Sequence, residues 1–206
     1  NSSAISGVIT DGGKFKWDAE KYPGIKAFKK FGPFAYTAKL RNGLFRNTGA
    51  CLSPQNAFYN SIGMETLGLR MERVCDNAKT LAQFFATEYS DIEVNYPGLA
   101  GSKWHNIATE QFGDKFGGII TIRTGNKKRA FGIIDALKLP LIVSNIGDTK
   151  TLVIHPESTL NVHSTQEEKE TAGVFDDLIR ISVGIEDIDD LIDDFKQAIE
   201  SVKDVY

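Results

Sequence analysis

The sequence predicts an α/β fold, in which strands and helices alternate along the chain and pack as layers. Short apolar, β-prone runs such as 119–124 and 179–183 are separated by segments with the three-to-four-residue periodicity of amphipathic helices. The closing segment 188–205 shows this period clearly, because its apolar residues form one face. Acidic residues crowd its N-terminal end, where the helix dipole favours negative charge.

The first third of the chain has a different pattern. Residues 4–10 predict a strand that ends at a glycine-rich turn. Residues 14–47 are rich in aromatic residues and interrupted by proline and glycine, which predicts a long excursion with short helical pieces. Ser53 suits a helix N-cap and Pro54 suits the first helical position. We therefore expect a long helix over 54–88, and helices of this length often connect two domains.

The rest of the chain divides into short elements separated by turn signals such as Pro97-Gly98 and Gly117-Gly118. The expected strands are 92–96, 119–124, 141–144, 151–154 and 179–183. The expected helices are 103–112, 127–138, 166–172 and 188–205.

The composition is that of an ordinary soluble globular protein, with 206 residues, 41% of them hydrophobic and 25% charged. This length allows one large or two small domains. The net charge is −3, and no basic stripe interleaved with aromatic residues indicates a nucleic-acid surface. No apolar run reaches the roughly 18–20 residues that span a bilayer. We therefore expect neither a nucleic-acid partner nor a membrane.

The two cysteines, Cys51 and Cys75, show no spacing typical of a disulfide scaffold or a zinc site. The three histidines are also too far apart in sequence to suggest a metal site. We therefore expect no metal and a reducing, cytoplasmic location. Cys51 lies beside a predicted helix start, but with no reactive partner nearby we expect it to be a packed core thiol.

Arg180 is the first candidate for a functional residue. It lies inside an apolar run of the last predicted strand, where an arginine is costly unless an anion pairs with it. Its planar fork suits a carboxylate, which it can bind through two parallel hydrogen bonds. Arg180 is thus either half of an internal salt bridge or a receptor for a ligand carboxylate. Structural ion pairs are the more common of the two.

Polar residues after the other predicted strands are further candidates. Ser144 and Asn145 follow a buried strand, and the Asn145 amide can hold a carboxylate oxygen or simply stabilise a turn. His155 precedes Pro156, which forces an extended backbone. We expect His155 to be structural rather than catalytic.

Six sequence blocks, in the same order, resemble the Cys/Met-metabolism family of pyridoxal-phosphate enzymes. The resemblance runs from residue 1 to the end of the chain. The blocks are 48–54, 69–73, 96–99, 145–148, 155–159 and 179–187. The resemblance implies a fold-type I, aspartate-aminotransferase-like α/β architecture with pyridoxal 5'-phosphate as the cofactor.

The resemblance also implies a division into two domains. Residues 1–67 would be the end of the large cofactor-binding domain with the start of the connecting helix, and residues 68–206 would be the small domain. In the family, the lysine that holds the cofactor lies upstream of the position of Asn1. We therefore expect no catalytic lysine and no assigned cofactor ligand in this chain. The implied partners are the N-terminal half of the enzyme and further subunits of a homotetramer.

The activity implied by the resemblance is a γ-replacement in methionine biosynthesis. Acetate leaves O-acetylhomoserine and sulfide adds to give homocysteine, or methanethiol adds to give methionine. In this assignment Arg180 binds the substrate α-carboxylate, and Asn145 and Ser144 assist. The chain departs from the family pattern at two positions: Glu157 stands in place of a small residue, and His163 is shifted. These departures leave the substrate preference open.

Two alternatives remain open at this point. Within the family, the chain could belong to a methionine γ-lyase or a cystathionine-forming enzyme. Outside enzymology, it could be a non-catalytic C-terminal fragment that acts as an assembly module.

Overall fold

A computed structural model describes residues 3–203. These residues form two compact units, 3–64 and 65–203. The division falls three residues before the expected boundary at residue 67, and the identification of the units with the large and small domains stays a prediction. No helix in the described part of the chain is long and apolar enough to cross a membrane.

The first unit consists of irregular chain followed by short helical segments, as the proline and glycine content predicts. Its turn at Asp11 is formed by a hydrogen bond in which Gly13 N donates to Asp11 Oδ1 at 3.0 Å. Its elements are a 3₁₀ stretch over Pro23–Phe34 with a kink at Gly32, α1 (Ala35–Lys39), a π-helical turn (Leu40–Phe45), α2 (Arg46–Thr48) and α3 (Pro54–Glu65).

The predicted strand over 4–10 is wrong, because these residues have no regular secondary structure. Ile5 and Val8 are 92% and 88% exposed. A strand needs a neighbour to accept and donate its backbone hydrogen bonds. No strand within residues 3–203 lies beside this segment. An apolar alternating pattern without a partner strand therefore leaves an extended, irregular chain.

The predicted helix over 54–88 is present as two helices rather than one. α3 ends at Glu65 and α4 covers Leu67–Glu88. Between them Thr66 has φ −105° and ψ 8°, outside the α-helical region. The predicted N-cap is confirmed, since Ser53 Oγ accepts a hydrogen bond from Asn56 N at 3.2 Å.

The second unit contains the other five predicted strands, which form one mixed sheet in the order β1-β2-β5-β4-β3. The β1–β2, β2–β5 and β5–β4 pairs are antiparallel, and β3–β4 is parallel. The strands are β1 (Glu93–Asn95), β2 (Ile119–Arg123), β3 (Leu141–Ile142), β4 (Leu152–Ile154) and β5 (Leu178–Ser182).

The four remaining predicted helices are also present, and residues 204 and 205 of the last prediction lie outside the described residues. Local capping explains several helix starts. Asn126 Oδ1 accepts from Arg129 N at 2.9 Å, and Thr165 and Glu168 form a reciprocal capping box. The helices are α5 (His105–Phe112), α6 (Lys127–Ala136), α7 (Gln166–Thr171) and α8 (Ile188–Ser201).

The core of the second unit lies between one face of the sheet and helices α4, α6 and α8. Alternate residues of β2 and β5 point into it, and all four are fully buried: Ile120, Ile122, Ile179 and Ile181. Because side chains alternate along a strand, the residues between them point to the opposite face. Thr121 and Arg180 are two of these residues, and they are register partners on β2 and β5.

A core substitution tests this packing. Phe85 of α4 and Phe195 of α8 are fully buried and meet edge to face, with ring centroids 5.2 Å apart. We expect Phe195→Ala to lower the free energy of unfolding by about 3–5 kcal/mol, because it removes apolar burial and leaves a cavity. Denaturant unfolding followed by circular dichroism measures this loss. Phe112→Ala, at a 61% exposed position, is the control and should have little effect.

Candidate substrate-binding site

Arg180 lies at the centre of β5, on the sheet face opposite the three core helices. Its guanidinium Nη2 donates a hydrogen bond to Ser144 O at 2.6 Å and a longer one to Asn145 O at 3.4 Å. The structure therefore brings together the three residues that the sequence nominated. The contact to residues 144 and 145 runs through their backbone carbonyls.

The Arg180 guanidinium has no carboxylate partner among residues 3–203. Its Nε–H is buried and makes no hydrogen bond within this range. Burial lowers the pKa of Arg180, because desolvation disfavours the charged form. Of the two alternatives that the sequence left open, the internal salt bridge is not found within residues 3–203. The hydrogen-bond acceptors of the guanidinium in this range are the backbone carbonyls of Ser144 and Asn145, which carry no net negative charge.

Arg123, on the same face of the sheet, provides a useful comparison. Its Nε donates to Asp177 Oδ1 at 2.9 Å, and its Nη1 lies 3.5 Å from Glu93 Oε2. The guanidinium also lies 4.0 Å from the ring centroid of Phe175. The hydrogen bond to Asp177 raises the pKa of Arg123. One arginine of this face is thus neutralised within the unit, whereas Arg180 is not.

The loop that follows β3 is held against β5 by hydrogen bonds. Gly147 N donates to Ser182 Oγ at 3.0 Å, and Gly147 has a positive φ of 75°, which glycine adopts without strain. Thr149 N donates to Asp148 Oδ1 at 2.6 Å and fixes the next turn. The side chains of Ser144 and Asn145 are exposed at the start of this loop. They are therefore accessible to a ligand that approaches Arg180.

His155 is structural, as the sequence predicts. It is 3% exposed, and its Nε2–H donates to Asp176 O at 2.7 Å. Its Nδ1 lies 2.9 Å from Ser158 Oγ and 3.2 Å from Ser158 N, which identifies Nδ1 as the acceptor. The ring packs against Phe131, with centroids 4.7 Å apart. Both ring nitrogens therefore have partners within the protein.

The expectation that Cys51 is a packed core thiol is wrong. Cys51 is exposed, and its only described contact is a hydrogen bond from Sγ to Leu52 O at 3.5 Å. The residues on both sides of it are also exposed. The buried thiol is Cys75 on α4. A cysteine is buried only where other elements pack against it. The sequence around position 51 does not indicate which elements, if any, pack against this side chain.

Glu157, the departure from the family pattern, joins three segments of the second unit. Its carboxylate accepts hydrogen bonds from Lys127 at 2.8 Å and from Lys169 at 2.6 Å. These hydrogen bonds lower the pKa of Glu157 to about 2. The residue therefore anchors the loop after His155 to α6 and α7.

Sequence reasoning missed two residues that support the loop beside Arg180. Ser182 lies within the family block 179–187, and its spacing of two from Arg180 places both on one strand face. The Glu186 carboxylate contacts Thr151, 35 positions earlier in the chain, and no local spacing indicates this contact.

Comparison with known proteins identifies the family to which this chain belongs. Residues 1–200 match the model of the Cys/Met metabolism PLP-dependent enzyme family. The chain belongs to this family, and the prediction drawn from the six sequence blocks is confirmed.

The curated relatives include enzymes of homocysteine formation. The chain is 38% identical over 219 residues to the O-acetyl-L-homoserine sulfhydrylase of Corynebacterium glutamicum, covering 98% of this chain and 50% of that protein. It is 37% identical over 213 residues to the homocysteine synthase of Schizosaccharomyces pombe, covering 97% and 50%. The chain thus spans about half the length of the curated relatives it matches.

Solved structures agree with the predicted fold class. An O-acetylhomoserine (thiol)-lyase from Campylobacter jejuni that carries a pyridoxyl-lysine phosphate matches with a TM-score of 0.76 and 39% identity, over 80% of this chain and 39% of that one. The O-acetylhomoserine sulfhydrylase of Wolinella succinogenes matches with a TM-score of 0.68 and 37% identity, over 83% and 45%. The predicted α/β fold of this enzyme class is confirmed.

The Glu157 cluster predicts a pH dependence of stability. A carboxyl group with a lowered pKa in the folded state stabilises the fold above its ordinary pKa of 4.5, and this contribution is lost as the pH falls towards 2. We expect Glu157→Gln to cost about 1 kcal/mol at pH 7, and the difference from wild type to vanish near pH 2. Thermal melting at a series of pH values tests this.

The matched control for that series is Glu167→Gln, an exposed residue in the first turn of α7. It should run parallel to wild type at every pH. A constant deficit of Glu157→Gln down to pH 2 would show that the ion pairs are not the source of its effect.

Proposed function

We propose that this chain provides the substrate-carboxylate site of a PLP-dependent enzyme that makes homocysteine from O-acetylhomoserine and sulfide. The observation that carries this proposal is the Arg180 guanidinium, which is partly buried and lacks a carboxylate partner among the described residues. The names and the similarity of the relatives support the choice of reaction.

The proposed reaction is a γ-replacement. The bond between Cγ and the ester oxygen breaks, acetate leaves with the electron pair, and sulfide forms a new bond to Cγ. Pyridoxal phosphate, when bound, acts as the electron sink that makes the required proton removals possible. We assign no residue of this chain to the cofactor. We propose that its lysine belongs to the half of the family sequence that this chain does not match.

In this proposal Arg180 fixes the amino-acid end of the substrate. Its fork binds the α-carboxylate through parallel hydrogen bonds, and the partly desolvated position strengthens the attraction. The carbonyls of Ser144 and Asn145 hold Nη2 in place, so the guanidinium is oriented before the substrate arrives. The exposed Asn145 amide then completes the site by donating to a carboxylate oxygen.

The proposal extends to the partners and the location of the protein. The partner of this chain is the N-terminal half of the enzyme, and the complete protein is a cytoplasmic homotetramer. Phe58, Leu69 and Met71, on α3 and α4, are 62%, 71% and 41% exposed, which supports a partner that covers apolar side chains.

Substitution of Arg180 tests the proposed carboxylate site. In the complete holoenzyme we expect Arg180→Ala to raise KM for O-acetylhomoserine by roughly 30-fold or more, equivalent to about 2–5 kcal/mol of lost charge pairing. Arg180→Lys should recover only part of this affinity, because a lysine lacks the planar fork. Steady-state kinetics with varied O-acetylhomoserine at saturating sulfide provides the measurement.

Arg123→Lys is the matched control, since Arg123 lies on the same sheet face but is neutralised by Asp177 and Glu93. It should lower stability and leave KM close to the wild-type value. An unchanged KM in Arg180→Ala would remove Arg180 from the proposed role. Release of 2-oxobutanoate from methionine, with no homocysteine formed from sulfide, would indicate a γ-lyase instead.

The exposed apolar side chains predict how the 206-residue chain behaves without a partner. Expressed alone, the chain should self-associate, because contact between copies buries apolar surface that is otherwise exposed to water. Light scattering after size-exclusion chromatography measures this, and co-expression with the other half of the family sequence should suppress it. A monodisperse, cooperatively melting monomer would contradict the prediction and favour an independent module.

A further inference from the structure

Glu186 lies four residues beyond β5 and has no contact with Arg180, yet it holds the loop that carries the proposed carboxylate site. Its Oε1 accepts a hydrogen bond from Thr151 N at 2.5 Å, and its Oε2 accepts one from Thr151 Oγ1 at 2.9 Å. Two hydrogen bonds from one residue to one carboxylate fix the relative position of both.

Thr151 is the point where the loop after β3 returns to the sheet. It is fully buried, and its Oγ1 accepts a hydrogen bond from Gly184 N at 2.9 Å while donating to Glu186. Its carbonyl accepts from Leu141 N at 2.9 Å, at the start of β3. Thr151 therefore links both ends of the segment that contains Ser144 and Asn145.

The backbone around Gly184 is packed too closely to move independently of this link. A methyl group at position 184 would meet the Glu186 carboxylate, and it would lie 2.5 Å from Thr149 O and 2.6 Å from the Lys150 carbonyl carbon. Ile185 N also donates to Thr149 O at 2.9 Å. The chain after β5 and the chain before β4 are thus in direct backbone contact.

The same turn is tied to the core helix α4. Asn77, which is buried, donates from Nδ2 to Gly184 O at 3.2 Å and to Glu186 O at 2.9 Å. Glu186 forms no ion pair with a described lysine or arginine. The Glu186 carboxylate is therefore bound to Thr151, and the hydrogen bonds from Asn77 of α4 hold the turn that contains Glu186.

We propose that Glu186 is a positioning residue that acts through Thr151 to set the loop at residues 144–150 against Arg180. The loop is held at its first end by Arg180 Nη2 on Ser144 O and at its far end by Glu186 on Thr151. Loss of the far anchor lets the Ser144 and Asn145 carbonyls drift from the guanidinium and disorders the carboxylate site. This inference rests on the proposed function of Arg180.

The test uses the complete holoenzyme and two substitutions that preserve volume. Glu186→Gln keeps an acceptor oxygen for Thr151 N but replaces the charged acceptor of the Thr151 hydroxyl with an amide NH2. Thr151→Val removes the hydroxyl together with its hydrogen bonds to Glu186 and from Gly184 N. We expect each to raise KM for O-acetylhomoserine about tenfold with kcat within about threefold of wild type, because ground-state binding is weakened and chemistry is not. Thr151→Ser, which keeps the hydroxyl, should restore the wild-type KM.

A coupling measurement separates positioning from general destabilisation. The double substitution Glu186→Gln with Thr151→Val should raise KM by less than the two single effects combined, since the hydroxyl contact that Glu186→Gln disturbs is already absent in Thr151→Val. The matched control is Glu168→Gln, whose carboxylate also accepts from a threonine backbone amide, in the capping box of α7. It should leave KM unchanged while lowering the melting temperature slightly.

The outcomes distinguish this inference from the proposed function. If Arg180→Lys raises KM and the Thr151 and Glu186 variants do not, the positioning role is overturned and the carboxylate site stands. If Arg180→Lys leaves KM unchanged, both are overturned. A fall in kcat with unchanged KM in Thr151→Val also overturns the positioning role. Should Glu186→Gln fail to fold, the comparison of Thr151→Val with Thr151→Ser decides the question.

Discussion

Burial of Ile179 and Ile181 against the core helices constrains the whole of β5. Because the side-chain period of a strand is two, their burial forces Arg180 onto the opposite face, beside its register partner Thr121. A shift of one residue would place the guanidinium in an apolar core, where no partner exists to compensate its charge. The position of the candidate site therefore follows from hydrophobic packing on the other side of the sheet.

The two arginines of that face show how similar side chains take different roles. Arg123 is neutralised by acidic residues of neighbouring segments and stacks on an aromatic ring, so its charge contributes to the fold. Arg180 is oriented by carbonyl oxygens, which fix its direction but carry no net negative charge. Orientation without neutralisation is the arrangement expected of a receptor for an anion.

The loop beside Arg180 depends on anchors that are distant in sequence. Ser182, Thr151 and Glu186 hold it through hydrogen bonds to backbone and hydroxyl groups, and Asn77 fixes the supporting turn from helix α4. Buried polar groups need hydrogen-bond partners, so the position of each of these residues restricts the positions of the residues bonded to it. The geometry at Arg180 is thus shared among β5, the segment before β4 and a core helix.

Much of the second unit could be predicted from sequence, because its strands and helices carry strong local patterns. The apolar, β-prone run around Arg180 and the apolar face over 188–205 predicted the element types, whereas the caps at Asn126 and Thr165 were found only in the structure. The first unit was harder to predict. The pattern over 4–10 favoured a strand, but strand formation requires a neighbour that no local pattern can supply. The predicted burial of Cys51 is wrong for the same reason, since burial depends on which distant segments pack against a residue.

The sequence by itself determined the order of elements in the second unit, the family and the nomination of Arg180, Ser144 and Asn145, because these follow from local periodicity and contiguous motifs. Only the tertiary structure decided that Arg180 lacks an acidic partner within the described chain, and that Glu186 reaches back to Thr151. Charge compensation and long-range hydrogen bonding depend on which segments meet in space. A single sequence does not show these contacts directly, because they form only when the whole chain folds.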